Sequence, residues 1–191
     1  MQCYHCKSFT LGCFCSTCKE EISHFHLTKR KLDCGLTTWA FHPYSGLEDM
    51  VKYKHSVAGY FVLKALARLT FKRFAKLYQG PKASVVALDD RCSSGYSHTA
   101  ILAKALNCEA LRYEPYVLHA STNVKYAGQT LLFRQKHKRD YKLLKKPSRK
   151  DVILVDDVVT TGTSLCEAKH FLKKNGFHVL CALVLTDVGR V

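Results

Sequence analysis

Acidic residues are scarce in this sequence. Its 191 residues include 15 Asp and Glu against 30 Lys and Arg, which gives a formal net charge of +15 at pH 7. Hydrophobic residues make up 47% and charged residues 24%, and this near-average composition excludes a disordered or fibrous chain. Because half of the basic residues have no acidic counterpart, we expect a phosphate-bearing partner; the alternative is a solvated basic surface.

Long apolar runs are also missing. No segment approaches the roughly 18 apolar residues of a membrane span. The first residues, Met1-Gln2-Cys3-Tyr4, lack the basic and apolar regions of a signal peptide. We therefore expect a cytoplasmic protein, in which the 10 cysteines serve as metal ligands or small core residues rather than as disulfides.

Five of the cysteines fall within the first 18 residues. Cys3-x-x-Cys6 and Cys15-x-x-Cys18 form two pairs separated by eight residues, a spacing that presents four thiolates to one tetrahedral ion. The pattern predicts a closed structural Zn²⁺ site, whose binding free energy would fold a segment too short to have its own core. The alternatives are a cluster of redox-active thiols, Cys13 as a ligand in place of Cys15, and His5 or His24 as reserve ligands.

The rest of the chain alternates strand and helix signals. Apolar runs predict strands at 37–41, 84–88, 109–113, 152–155 and 179–185, and helical spacing covers 46–78, 99–107 and 164–174. Residues 42–46 look like a turn, and 117–150 are polar, basic and poorly periodic. Continuously apolar strands between helices predict an α/β fold with a doubly wound, mostly parallel sheet, preceded by a small N-terminal knuckle. We divide the chain into 1–35, the knuckle and its connector, and 36–191.

The segment from Val152 to Ser164 carries the strongest chemical signal. A buried strand ends in two acids, Asp156 and Asp157, and a loop of hydroxyl residues and glycine then leads into a helix. Free N–H groups at a helix N-terminus favour a phosphate, and Gly162 permits a close backbone approach. The acids would repel phosphate, and they suit sugar hydroxyls or the shell of a Mg²⁺ ion. The alternative is an ordinary strand-loop-helix connection.

This segment resembles the motif with which type I phosphoribosyltransferases bind phosphoribosyl pyrophosphate (PRPP). The resemblance implies that the two acids contact the ribose hydroxyls, that 160–164 hold the 5′-phosphate, and that Mg²⁺ bridges pyrophosphate and ribose oxygens. The residues assigned to PRPP are Asp156, Asp157, Val158, Thr160, Thr161, Gly162, Thr163 and Ser164. A second strand-to-helix loop and a preceding lysine supply the candidates for pyrophosphate and Mg²⁺, which are Lys54, Asp90, Arg91, Ser94 and Gly95. The alternative for this loop is a surface turn.

The paired cysteines and the PRPP motif together resemble the ComF/ComFC competence proteins over nearly the whole chain. The stretch 52–55 and the pair Gln129 and Arg134 fit that family, whereas Ser97 and His98 stand where it has Asn and Gln. The resemblance implies a role in natural transformation, at the cytoplasmic side of the inner membrane, in the uptake or handling of single-stranded DNA with the translocation machinery. It suggests a transferase reaction without identifying an acceptor.

A basic segment supports a nucleic-acid partner independently. Nine of the seventeen residues from Arg134 to Lys150 are Lys or Arg, and Phe133 and Tyr141 are candidate stacking platforms. The alternatives are a solvated loop and a lid that closes over PRPP. The residues assigned to DNA or to the lid are Arg134, Lys138, Arg139, Lys145 and Lys146.

Two other functions remain open on the sequence. One is a nucleobase-salvage phosphoribosyltransferase, which would need a base-recognition pocket and has no evident use for a knuckle or a strongly basic surface. The other is a DNA-binding adaptor whose PRPP site senses the metabolite without catalysing a reaction.

Overall fold

A computed structural model describes residues 1–88, 95–121 and 139–189, without the side chains of Lys52 and His55. Its helices are α1 (Ser16–Ser23), α2 (Tyr44–Lys52), α3 (Val57–Leu69), α4 (Phe71–Leu77), α5 (His98–Ala105) and α6 (Thr163–Lys174), with a 3₁₀ turn at Tyr53–His55. Its strands are β1 (Thr28–Lys31), β2 (Thr37–Pro43), β3 (Ala83–Ala87), β4 (Leu111–Tyr113), β5 (Leu118–Ala120), β6 (Tyr141–Leu143), β7 (Asp151–Val159) and β8 (His178–Asp187).

A six-stranded sheet in the order β1-β2-β8-β7-β3-β4 forms the centre of the molecule. Only β1, at one edge, runs antiparallel to its neighbour; every other pair in this sheet is parallel. The α/β, mostly parallel fold that the sequence predicts is therefore confirmed.

Both faces of the sheet are covered, because successive side chains of the central strands point to opposite sides. Ile153 and Val155 of β7 pack with α3, α4 and α5. Val152 and Leu154 pack on the other face with α6 and the β5–β6 ribbon. This two-sided burial explains why the strands look continuously apolar in the sequence.

The predicted helix over 46–78 is wrong as a single element. Ser56 caps a new helix, since its hydroxyl accepts a hydrogen bond from the N–H of Gly59. Thr70 separates α3 from α4, and its hydroxyl donates to the carbonyl of Leu66 at 2.7 Å. The predicted turn at 42–46 is also wrong, because β2 continues through Pro43 and α2 begins at Tyr44.

Residues 117–150 contain more structure than their weak periodicity indicates. β5 and β6 form an antiparallel ribbon, which is the second sheet of the described chain. Tyr141 lies in β6 and is only 6% exposed, with its ring 6.5 Å from that of Phe171. The interpretation of Tyr141 as a stacking platform for bases is therefore wrong, because its ring is part of the core.

The expectation that the cysteines avoid disulfides is wrong for one pair. Cys34 and Cys166 form a disulfide that joins the β1–β2 hairpin to the first turn of α6, across 132 residues of chain.

Because β1 pairs with β2, the predicted boundary after residue 35 falls inside this hairpin. None of the helices in the described part of the chain is long and apolar enough to cross a membrane.

Candidate active site

Two adjacent acids lie on β7 beyond the point where its pairing with β3 ends. The β3–β7 ladder stops at Ala87 and Val155, whereas β8 stays paired with β7 as far as Val159. Among the described residues, Asp156 and Asp157 therefore occupy a part of β7 that pairs with β8 and no longer with β3. Asp157 is 5% exposed and Asp156 is partly exposed.

Lys54, from the 3₁₀ turn before α3, reaches the buried acid. Its Nζ lies 2.6 Å from Oδ2 of Asp157. Burial acts to raise the pKa of Asp157, but the Lys54 ammonium, with smaller contributions from His98 and the N–H of Val158, holds that pKa below its ordinary value. The Asp157 carboxyl is therefore ionised at neutral pH, and it needs no bound ligand for this.

Tyr96 holds the backbone around Lys54 in place. Its hydroxyl donates to the carbonyl of Lys54 and, at 2.9 Å, to that of Ser56. Its ring also lies edge-on to His98, 5.1 Å between centroids, and His98 is buried beside the acid site. The loop that precedes α5 thus positions the lysine that pairs with Asp157.

The loop after β7 has the features of a phosphate cradle. Gly162 adopts a left-handed backbone with φ of +77° at the N-cap of α6, and it provides no side chain to cap the helix. The hydroxyls of Thr161 and Thr163 lie 2.9 Å apart. Hydroxyl groups and the first N–H groups of a twelve-residue helix therefore lie together in one short loop, a combination that suits a phosphate.

The β1–β2 hairpin supports this loop from one side, a contact that sequence reasoning missed. Arg30 donates to the carbonyl of Thr160 at 2.6 Å and pairs with Asp187 at 2.9 Å. A Cβ at Gly162 would lie 2.5 Å from a methyl group of Leu32. No local pattern marks Arg30 or Leu32, because their role arises only when the hairpin joins β8.

The four N-terminal cysteines of the paired motif converge as their spacing predicts. The sulfurs of Cys3, Cys6, Cys15 and Cys18 all lie within 4.8 Å of one another. Four sulfurs bound tetrahedrally at 2.3 Å lie about 3.8 Å apart, and the Cys6–Cys15 distance is 3.6 Å. The set therefore fits a four-thiolate metal ion. Cys13 is not part of it, and its thiol pKa is raised by burial.

The surroundings of the cluster favour thiolates at three of the four positions. Hydrogen bonds from Ser8 lower the pKa of Cys6, and a backbone bond from Cys18 lowers that of Cys15. Burial acts to raise the pKa of Cys3, but backbone N–H groups outweigh it and lower that pKa. Burial raises the pKa of Cys18, which would give up its proton when a metal binds.

Comparison with known proteins identifies the domain. Residues 61–190 match the family described as the phosphoribosyl transferase domain, which is more than half of the chain. The chain belongs to the phosphoribosyltransferase family. The match contains both the acid pair and the loop before α6, and it begins after Lys54 and the cysteine cluster.

Individual phosphoribosyltransferases are similar to this chain either over a short segment or over a longer stretch at low sequence identity. An orotate phosphoribosyltransferase of Aeropyrum pernix is 49% identical over 43 residues, which are 22% of this chain and 23% of that protein. The chain thus spans about a quarter of the length of this curated relative. The crystal structure of orotate phosphoribosyltransferase from Aeropyrum pernix aligns with 90% of this chain and 80% of its own, at 20% identity and a TM-score of 0.39. A hypoxanthine phosphoribosyltransferase from Staphylococcus aureus aligns over 65% and 62% of the two chains, at 16% identity and a TM-score of 0.39.

The remaining predicted residues of this phosphoribosyltransferase domain have different outcomes. Asp90, Arg91, Ser94, Arg134 and Lys138 lie outside the described residues, and so do Phe133 and Gln129. Gly95 begins the second described range, three residues before α5, and has a left-handed backbone with φ of +81°.

The described residues of the basic segment are partly used in the fold. Lys145 pairs with the buried carboxylate of Glu114 at 3.5 Å. The main-chain N–H of Arg139 donates to Glu167 of α6. Arg149 donates to the carbonyls of Ala83 and Ala110. Lys146 is exposed.

Proposed function

We propose that this phosphoribosyltransferase domain binds PRPP together with Mg²⁺. One observation carries the proposal: a buried carboxylate paired with Lys54 and a glycine-hydroxyl loop at a helix N-terminus occupy the same short segment at the end of β7. The carboxylates suit the ribose hydroxyls and the loop suits the 5′-phosphate, so the two halves match the two ends of one sugar phosphate.

Each residue has a distinct role in this proposal. Asp156 and Asp157 accept hydrogen bonds from the ribose hydroxyls, and Thr160–Ser164 donate to the 5′-phosphate. Lys54 neutralises Asp157 before the ligand arrives and then becomes available to the pyrophosphate. A bound Mg²⁺ would supply positive charge against the pyrophosphate, and the acid pair provides the oxygen ligands that it prefers.

If the domain catalyses transfer, the bond between ribose C1 and pyrophosphate breaks and pyrophosphate leaves with the electron pair. An acceptor nucleophile forms the new bond to C1 and loses a proton. The residues named above position PRPP and stabilise the departing charge, which are the two contributions expected of such a site.

Calorimetry with PRPP and Mg²⁺ tests the binding site. Asp157→Asn should weaken PRPP binding about tenfold or more, since a hydrogen bond to a charged group contributes about 1.5–3 kcal/mol. Asp151→Asn is the matched control, because Asp151 lies at the other end of β7 and pairs with His178. Equal PRPP affinity in wild type and Asp157→Asn would contradict the assignment.

We further propose that the protein handles single-stranded DNA in natural transformation, on the cytoplasmic side of the inner membrane and in association with the translocation machinery there. The proposal is supported by the resemblance to the ComF/ComFC proteins and by the net charge of +15. A mutant of the natural host without this gene should yield far fewer transformants and recover on complementation. An unchanged count would contradict this role.

The cysteine cluster is proposed to hold structural Zn²⁺. Cys15→Ser should lose bound zinc and loosen the N-terminal segment, since the ion supplies its folding free energy. Cys13→Ser is the matched control, because Cys13 is close in sequence but lies outside the cluster. Elemental analysis measures the zinc content of both variants. Equal zinc content in Cys15→Ser and Cys13→Ser would refute the proposed ligand set.

Nucleobase salvage is the second candidate function, favoured by the local sequence identity with the orotate enzyme. Release of pyrophosphate from PRPP on addition of orotate or hypoxanthine would support it. PRPP binding without release for any base would favour the third candidate, a DNA-binding adaptor that senses PRPP.

A further inference from the structure

The exposed face of α3 combines basic and apolar side chains in one line. Val57, Phe61, Lys64 and Arg68 follow each other at intervals of four, three and four residues and therefore share one face of the helix. Val57 is 81% exposed and Phe61 57% exposed. We call these four residues the α3 stripe. The opposite face of α3 packs in the core.

Acidic residues are absent from this part of the sequence. From Met50 to Leu88 the chain contains eight Lys and Arg and no Asp or Glu. The exposed residues Lys72, Arg73 and Lys76 of α4 extend the basic surface beyond the stripe. Among the described residues, no carboxylate pairs with the basic groups of α3 or α4. Lys145 and Arg149 of the other basic segment, by contrast, already have partners within the fold.

Aromatic rings connect the stripe to the PRPP site. The rings of Phe61 and Tyr60 lie 5.4 Å apart, and those of Tyr60 and Tyr96 also lie 5.4 Å apart. Tyr96 in turn donates to the carbonyl of Lys54, the residue that pairs with Asp157. Lys64 lies over the ring of Tyr60 at 5.7 Å. The chain of contacts thus runs from an exposed phenyl ring to the acid site.

We propose that the α3 stripe binds single-stranded DNA, with an unpaired base stacked on Phe61 and the backbone phosphates held by Lys64 and Arg68. This inference rests on the proposed DNA-handling function and assigns its surface. Unpaired bases expose flat faces that stack on aromatic side chains, whereas a duplex hides them. The stripe is about 17 Å long at about 1.5 Å per residue, which is long enough to contact more than one nucleotide of a single strand.

A membrane surface suits the stripe less well. Insertion of a helix into the headgroup region requires a broad apolar face. In α3 the broad apolar face is buried in the core, and the exposed face has Val57 and Phe61 alone among large apolar residues. Charge complementarity with a polyanion and a single exposed ring therefore favour a nucleic-acid strand.

Fluorescence anisotropy with a labelled twelve-nucleotide oligo-dT over a salt series tests the proposal on the zinc-loaded full chain. Phe61→Ala should weaken binding about fivefold or more, since one stacked base contributes that much. The double variant K64Q/R68Q should reduce the slope of log affinity against log salt by about 1.4, for two lost phosphate contacts on a single strand. K142Q/K150Q is the matched control, because Lys142 and Lys150 are exposed lysines of the other basic segment. It removes the same charge and should keep the slope.

The outcomes distinguish a failure of the proposed DNA surface from a failure of the proposed DNA-handling function. If K142Q/K150Q flattens the slope and K64Q/R68Q does not, or if Phe61→Ala binds like wild type, the stripe is not the DNA surface. If the wild type does not bind oligo-dT at all, the DNA-handling function itself fails. If the stripe variants lose binding to vesicles of anionic phospholipid but keep oligo-dT affinity, the surface contacts membrane and the proposal is overturned. Thermal unfolding of each variant verifies that it is folded.

Discussion

Lys54 and Asp157 form an ion pair of 2.6 Å between residues 103 positions apart in the chain. It joins the 3₁₀ turn before α3 to the end of β7, so the turn that leads into α3 is fixed directly to the proposed PRPP site. A buried carboxylate is unfavourable without a partner, and Lys54 provides one in the absence of ligand. The same contact must be broken or shared when ribose hydroxyls reach Asp157.

Replacement of Lys54 should therefore affect both stability and binding. Lys54→Met leaves the Asp157 carboxylate buried without its cation, which should cost about 3 kcal/mol of unfolding free energy. Asp157→Asn should cost less, because a neutral amide remains a hydrogen-bond acceptor for Lys54. Urea unfolding of the two single variants and the double variant measures the coupling. Additive effects would show that the pair contributes nothing.

The depressed pKa of Asp157 predicts an acid-sensitive fold. In the unfolded chain this carboxyl has a pKa of about 3.9, so between that value and the lower folded pKa the unfolded state binds more protons. The stabilisation is complete above the unfolded pKa and is lost as the pH falls through the folded one. The free energy of unfolding should fall less steeply below about pH 4 in Asp157→Asn than in wild type.

Glu114 is another described carboxyl whose pKa is lowered in the fold, so it serves as the comparison for Asp157. Burial acts to raise its pKa, but hydrogen bonds from Ser148 and the nearby Lys145 lower it. Glu114→Gln should flatten the same acid limb without altering PRPP affinity. Identical acid limbs in Asp157→Asn and wild type would contradict the role of the Lys54 pair.

Gly162→Ala should destabilise the protein for two separate reasons. The left-handed backbone at φ +77° costs a residue with a Cβ about 1–2 kcal/mol, and the new methyl would overlap Leu32 at 2.5 Å. Gly176→Ala isolates the first cost, since Gly176 has φ of +83° and a Cβ added there would meet no atom within 4 Å. The midpoint of thermal unfolding should be lower for Gly162→Ala than for Gly176→Ala. Leu32 is buried, so Leu32→Ala has its own cost and serves as the background for comparison. Adding Gly162→Ala to Leu32→Ala should lower the midpoint only as much as Gly176→Ala lowers that of wild type, and equal midpoints for the two glycine variants would refute the contact.

The Cys34–Cys166 disulfide should hold the β1–β2 hairpin against the start of α6. Loss of a bridge that closes a long loop typically costs about 2–4 kcal/mol. Cys34→Ser should lower the thermal midpoint of the oxidised protein, and a reductant should lower the wild-type midpoint to the same value. The double variant C34S/C166S should not respond to reductant, and a wild type equally unresponsive would show that the bridge does not form in solution.

Local chemistry made the core of the site predictable from sequence. The acids and the hydroxyl-glycine loop follow one strand without interruption, so their proximity is set by the chain itself. The paired cysteines behave similarly, because a spacing of two residues places two sulfurs on one ion. The apolar runs of β3, β7 and β8 indicate burial on both faces, and this was sufficient to predict the parallel sheet.

Contacts between distant segments had no such signal. The sequence offered Lys54 only through a family resemblance, and it offered nothing for Arg30, Leu32 or the partner of Cys34. These residues acquire their roles because the β1–β2 hairpin adds to β8 and thereby reaches the loop before α6. Tyr141 shows the converse, since its basic surroundings indicate exposure and its ring packs in the core.

The sequence by itself therefore determined the fold class, the cysteine cluster and the acid-and-loop segment, each of which is encoded by short-range spacing or periodicity. The tertiary structure alone decided which lysine neutralises Asp157, which hairpin supports the loop before α6, and which face of α3 presents its basic residues as the α3 stripe. The physical reason is that ion pairs and packing between remote segments depend on how the elements assemble around the sheet, which no local pattern of residues records.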